Sequence, residues 1–147
     1  MSGEDNKQKV RRFVDAVTAG NLGALDDIVA PDFKDHQSLP PGIPPTLAGL
    51  KGFFQAQRVA FPDWKVTIED MVADGDRVWD RLKVEGTNTG PFMGLPATGR
   101  RVSFEVLDIS RFAGGKVVEH WGVADNLGLM QQLGLIPALG EPVPTSS

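Results

Sequence analysis

Few side chains in this sequence can move a proton near neutral pH. There are two histidines, His36 and His120, no cysteine and no tyrosine, so proton transfer must rest on those imidazoles and on 19 Asp and Glu residues. The densest grouping is in "KVVEHWGVADNLGLMQQLG", Lys116 to Gly134, where Glu119, His120, Trp121 and Asp125 come in quick succession. Without cysteine there is no disulfide, no thiolate zinc site and no thiol nucleophile. Two histidines far apart, with no third ligand marked by spacing, make no metal motif, and G-x-S-x-G, H-E-x-x-H and the P-loop are missing. Carboxylate acid–base chemistry without metal or cofactor is the expectation.

Elements must hold those groups. Val10, Phe13, Val14 and Val17 mark one face of a helix that Gly20 ends. Asn21 can cap a second, short helix carrying Leu22, Leu25, Ile28 and Val29, closed by Pro31. "DHQSLPPGIPP", Asp35 to Pro45, is a proline-rich loop. A third helix is expected from about Thr46 to Ala60, with Leu47, Leu50, Phe53 and Phe54 on its buried side. Beyond residue 63 the period becomes 2. "WKVTIEDMVAD" and "RVWDRLKVEG" read as one hairpin, "RRVSFEVLDISRF" and "KVVEHWGVAD" as a second, and "NLGLMQQLG" as a short capping helix. Helices followed by antiparallel strands give an α+β arrangement, with three N-terminal helices covering one face of a curved, mainly antiparallel sheet around a central pocket. The 147 residues suit one domain, 1–137, with a loose tail over 138–147.

Strict alternation sorts the strands by face. It puts Asp70, Asp80, Asp108, Glu119 and Asp125 on the mostly apolar, inward faces, and Asp108 beside Phe104 and Val106. A buried ionised carboxylate costs several kcal/mol unless paired, so recurring inward acids point to a solvent-accessible cavity in which burial raises carboxyl pKa values. Asp70 and Asp80 lie toward strand ends, where solvation alone would serve them. Asp125 ends the last strand; its competing role is the N-cap of the helix that follows. Parity puts His120 opposite Asp125, on the outer face, as a surface or subunit-contact residue. His36, in the loop before the prolines, is then the better partner for a cavity carboxylate. A loop with Phe92, Met93, Leu95 and Pro96 reads as a lid or a subunit contact.

Net charge of −4 excludes the basic face that phosphate binding needs, so no nucleic-acid partner is expected. No apolar run approaches the roughly 18–20 residues that cross a bilayer, and "MSGEDNKQKVRR" has no signal-peptide core. The expectation is a cytoplasmic protein without a membrane partner. Trp79, Met71, Leu107 and Ile109 make the outer sheet face apolar enough to expect a homodimer or higher homo-oligomer.

Several motifs occur together in order: "DH" at Asp35-His36, "RVAFPDW" at Arg58 to Trp64, "GTNTG" at Gly86 to Gly90, "GLPATGR" at Gly94 to Arg100, "EHW" at Glu119 to Trp121, Asp125, and "LMQQLG" at Leu129 to Gly134. From about residue 35 to 134 the chain resembles the SnoaL-like polyketide cyclases, also grouped as ester cyclases, which have the NTF2-like cone fold. The resemblance implies intramolecular aldol closure of the last ring of an aromatic polyketide, without metal or coenzyme. It implies Asp125 as the acid/base carboxylate, with His36 and Asp108 nearby. A small hydrophobic polycyclic substrate would lie against Trp121, Glu119, Phe104, Val106 and Phe54, under Phe92, Met93 and Leu95. Hydroxylase-type accessory proteins and non-catalytic binders of hydrophobic ligands are the alternatives on such a fold.

Overall fold

The computed structural model describes residues 2–142. Helix α1, Gly3–Ala19, starts at a capping box in which Ser2 and Asp5 bond each other's backbone N–H groups, and it stops at Gly20 in the left-handed conformation. A 3-10 helix, Leu22–Asp27, follows, then strand β1, Val29–Asp35. Helix α2, Leu47–Ala60, is capped by Thr46, whose hydroxyl accepts from the Gly49 N–H at 3.2 Å. The remaining strands are β2, Lys65–Asp74; β3, Arg77–Thr87; β4, Arg101–Ala113; and β5, Lys116–Ala124. Helix α3, Asn126–Gln132, packs on β4.

The five strands form one sheet in the order β1-β5-β4-β3-β2, with β1 parallel to β5 and every other pair antiparallel. Strand β1 is a correction to the sequence reading, which ran the second helix through Val29. The run is strand because β1 lies at the sheet edge, where Pro31 needs no N–H for a ladder.

Two bulges in the antiparallel ladders bend the sheet. Glu69 is the extra residue between the Ile68–Leu82 and Asp70–Arg81 pairs, and Val118 the extra one between Phe112–Val117 and Arg111–Glu119. Each reverses side-chain parity beyond it. Met71 therefore packs inward against the core, while Asp70 and Val72 face out. Two apolar clusters, one around Leu25, Val102 and Leu133 and the other around Ile28, Val29 and Val78, hold helices to sheet. Residues of both line a cavity of about 590 Å³. Residues 138–142 form an exposed turn closed by the Glu141 N–H on the Ala138 carbonyl; the rest of the expected tail, 143–147, lies outside the described residues.

Candidate active site

The cavity wall is mostly apolar, with a few neutral polar side chains such as Gln37, Gln57 and Ser110, and β1, β5, β4 and β3 each bring one ionisable group to the same region: Asp35, His120, Asp108 and Asp80. Asp35 and His120 are partners in the β1–β5 register, and Asp80 and Asp108 in the β3–β4 register. His120 Nδ1 bonds Asp35 Oδ1 at 2.9 Å and Nε2 bonds Asp108 Oδ1 at 2.6 Å. Two carboxylates on the two ring nitrogens require both nitrogens to donate, so the ring is an imidazolium. Burial by itself would lower the His120 pKa. The hydrogen bonds to Asp108 and Asp35, together with their charges, overcome it and push the pKa up to about 10.

Local structure makes this cluster possible. Asp35 ends β1, its N–H donating to the Pro45 carbonyl, while the His36 N–H donates to the His120 carbonyl at 2.8 Å and ties the strand end to β5. The Gln37 N–H adds a second donor to Asp35 Oδ1. Gly122 faces Asp108 across the ladder, and a Cβ there would lie 2.8 Å from Asp108 Oδ1 and 2.6 Å from Gln37 Oε1. Only glycine leaves room for the Asp108–His120 bond.

Asp80 is 8% exposed, and its Oδ1 is shut away from solvent without a partner. Burial first, then the charge and hydrogen bond of Asp108, raise its pKa to about 8, against a smaller opposing effect of His120. The carboxyl is therefore neutral at pH 7.

The Val118 bulge decides which expected site residues meet. Beyond it His120, Gly122 and Ala124 face the cavity, and Glu119, Trp121 and Val123 face out, the reverse of strict alternation. Asp108, Phe104, Val106, Phe54, Phe92 and Met93 line the cavity as expected from their positions. Glu119, Trp121 and His36 do not. They build a separate outer cluster in which the His36 ring stacks on Trp121 at 4.9 Å, His36 Nε2 bonds Glu119 at 2.8 Å, and Arg77 covers Trp121 at 5.3 Å. Arg111 also pairs with Glu119, and the hydrogen bonds from His36 first and then Arg111 hold the Glu119 carboxyl below its usual pKa. Leu95 is 41% exposed and bridges Phe92 within the loop instead of lining the wall.

Asp125 is likewise outside the cavity. It is exposed and caps α3, Oδ1 accepting the Gly128 N–H at 2.9 Å. The strand's parity change leaves it a capping position, so Asp125→Ala should cost about 1 kcal/mol in denaturant unfolding and leave turnover intact. A loss of turnover in that variant, with the fold retained, would return Asp125 to the chemistry.

His120 escaped the sequence reading because nothing in "KVVEHW" marks the bulge. Asp35 escaped because β1 was read as helix and loop; the "DH" pair was its only signal. No group of three or more His, Asp or Glu among the described residues is arranged to hold a metal ion. No described helix is long and apolar enough to cross a membrane.

A cavity between helices and a bent sheet, with an imidazolium and carboxyls meeting on its wall, belongs to an α+β cone. The chain belongs to the SnoaL-like polyketide cyclase family, whose family model matches residues 8–133. It is similar to aklanonic acid methyl ester cyclase DauD of Streptomyces sp. (strain C5), 35% identical over 144 residues, with 92% of this chain and 82% of that protein covered. Among solved structures, TsrD from Streptomyces laurentii aligns at a TM-score of 0.84 and 28% identity, over 92% of this chain and 99% of TsrD. AclR from Streptomyces galilaeus, a proposed hydroxylase, aligns at 0.82 and 29% identity, over 95% and 87%. The expected cone fold and the assignment as a cyclase-type enzyme both stand on these relationships.

Proposed function

We propose that the chain catalyses intramolecular aldol ring closure of a polycyclic aromatic polyketide by carboxylate acid–base catalysis. The observation that carries this reading is Asp108, held by an imidazolium on the wall of a mostly apolar cavity. The volume of about 590 Å³ falls within the ~300–1,000 Å³ of small-molecule sites. His120 cannot be the base, since it stays protonated until far above neutral pH. Asp108 is the base: one oxygen is fixed by His120, and the carboxylate lies on the cavity wall where the substrate would sit.

Asp108 removes a proton alpha to a carbonyl, the conjugated ring system spreads the enolate charge, and the enolate carbon attacks a second carbonyl. The acid formed on Asp108 then protonates the new alkoxide. No metal or coenzyme enters the scheme. DauD, an aklanonic acid methyl ester cyclase, supports aklanonic acid methyl ester as the first substrate to try. Ring closure yields a product of unchanged mass. AclR favours a second reading, hydroxylation, in which the product gains one oxygen. Mass spectrometry of the product separates the two, and a substrate bound but returned unchanged would overturn both.

We propose further that a second copy of the chain covers the outer sheet face. Val72, Trp79, Leu107 and Val123, 48–72% exposed, adjoin through the register pairs Val72–Trp79 and Leu107–Val123. Arg81 and Glu105 supply both signs of charge beside them. The expected result is a dimer in sedimentation at micromolar concentration that Val123→Asp with Leu107→Asp weakens at least about tenfold. A monomeric parent protein contradicts it.

A further inference from the structure

We infer that Asp80 and Asp108 hold one proton between them and work as a single base, with Asp80 the positioning residue that keeps that proton on the pair. The kinetic consequence rests on the aldol reading above; the shared proton does not.

The two residues are register partners on β3 and β4, and both project into the cavity. The groups facing the pair can be named from every side. Strand β5 gives His120, 2.6 Å from Asp108 Oδ1, and β1 gives Asp35 behind it. The β2 partner of Asp80 is Met71, and α1 turns Val10, Phe13 and Val14 toward the cavity. Among the described residues no lysine or arginine lines the wall. Three ionised carboxylates against one imidazolium would leave two uncompensated charges in apolar surroundings, where each costs several kcal/mol. One proton on the pair removes half of that excess. Asp80 is its seat, because it lies two strands from His120 and no other group donates to its sealed Oδ1. Protonated, it donates to Asp108. Burial and the Asp108 charge push its carboxyl up to about 8, in line with this geometry.

The pair would cycle between one and two protons. When Asp108 takes the substrate proton, the C–H electron pair stays in the enolate and the pair becomes doubly protonated and neutral. After the C–C bond forms, the alkoxide takes one proton back and the singly protonated pair returns. The enolate thus never forms beside a second negative carboxylate.

Infrared spectra with carboxyl-labelled aspartate, taken without substrate, test the proton directly. At pH 7 the parent protein should show a protonated carboxyl band that fades as pH passes about 8 and is missing in Asp80→Asn. Turnover should fall above the same pH in the parent protein. In Asp80→Asn, whose amide donates permanently to Asp108, the rate should be lower but should no longer bend there. Absence of the band at pH 7, or a bend that survives in Asp80→Asn, overturns the inference. A band without any ring closure leaves the shared proton standing and removes the aldol reading; ring closure without the band does the reverse.

Discussion

Asp108→Asn should keep the fold and the ability to bind ligand, and lose ring closure, with kcat down by roughly 10²–10⁴. The substitution is nearly isosteric. The Asn amide oxygen can still accept from His120 Nε2, which lies 2.6 Å from Asp108 Oδ1, so the imidazolium keeps both of its partners. What disappears is the only group at that place able to take a proton from carbon and return it to oxygen. Substrate and transition-state contacts from Phe54, Phe104 and Val106 are untouched, so KM should move little while kcat collapses. Circular dichroism and ligand titration establish that the variant is folded and competent to bind; single-turnover measurements then isolate the chemical step. A rate within tenfold of the parent protein would place the base elsewhere, and Asp35 would be the next carboxylate to test.

The same residues show how far a sequence carries such an argument. Strands β3 and β4 run without interruption through the site, so alternation alone placed Asp80, Asp108, Phe104 and Val106 on the inner face. Strand β5 does not. Val117 and Val118 are both apolar and β-branched, either could have pointed inward, and one extra residue there exchanges the faces of everything from Glu119 to Ala124. That single step sends His120 into the cavity and leaves Asp125, Trp121 and Glu119 outside it. The error was therefore correlated: four misplaced residues have one cause. Strand β1 failed for a different reason. A proline two residues into a run of apolar side chains reads as the end of a helix, and only the tertiary fact that β1 is an edge strand makes Pro31 acceptable. A cavity carrying carboxyl groups was legible in outline through Asp80 and Asp108, although Asp70, Glu119 and Asp125 turn outward. The acid–imidazole geometry was not, since it depends on contacts between strands up to 85 positions apart.

His120→Gln should produce the largest change in stability, about 3–5 kcal/mol, and the size should depend on pH in a stated direction. Glutamine removes the only cation that the described residues place on the cavity wall, leaving Asp35, whose side chain is 1% exposed, and Asp108, at 13%, without a counter-charge. The folded-state pKa of His120 is about 10 against 6.5 for the free side chain, because the carboxylates outweigh burial. A group raised in this way stabilises the native state fully below its unfolded value and loses that contribution as pH climbs through the folded one. The gap between parent and variant should therefore be widest at pH 6.5, shrink steadily, and nearly close above 10. Asp80 acts in the same direction at lower pH: its carboxyl is raised from 3.8 to about 8, so the native state loses stability as pH rises across that interval. The parent protein thus gives up stability on the alkaline side from two groups in succession, Asp80 first and His120 after it. Denaturant unfolding of parent, His120→Gln and Asp80→Asn at a series of pH values separates the two, because each variant removes one of the two slopes. A His120→Gln gap that stays constant from pH 6.5 to above 10 would mean that the imidazole is not charged in the folded protein. The base would then have to be sought in the ring itself.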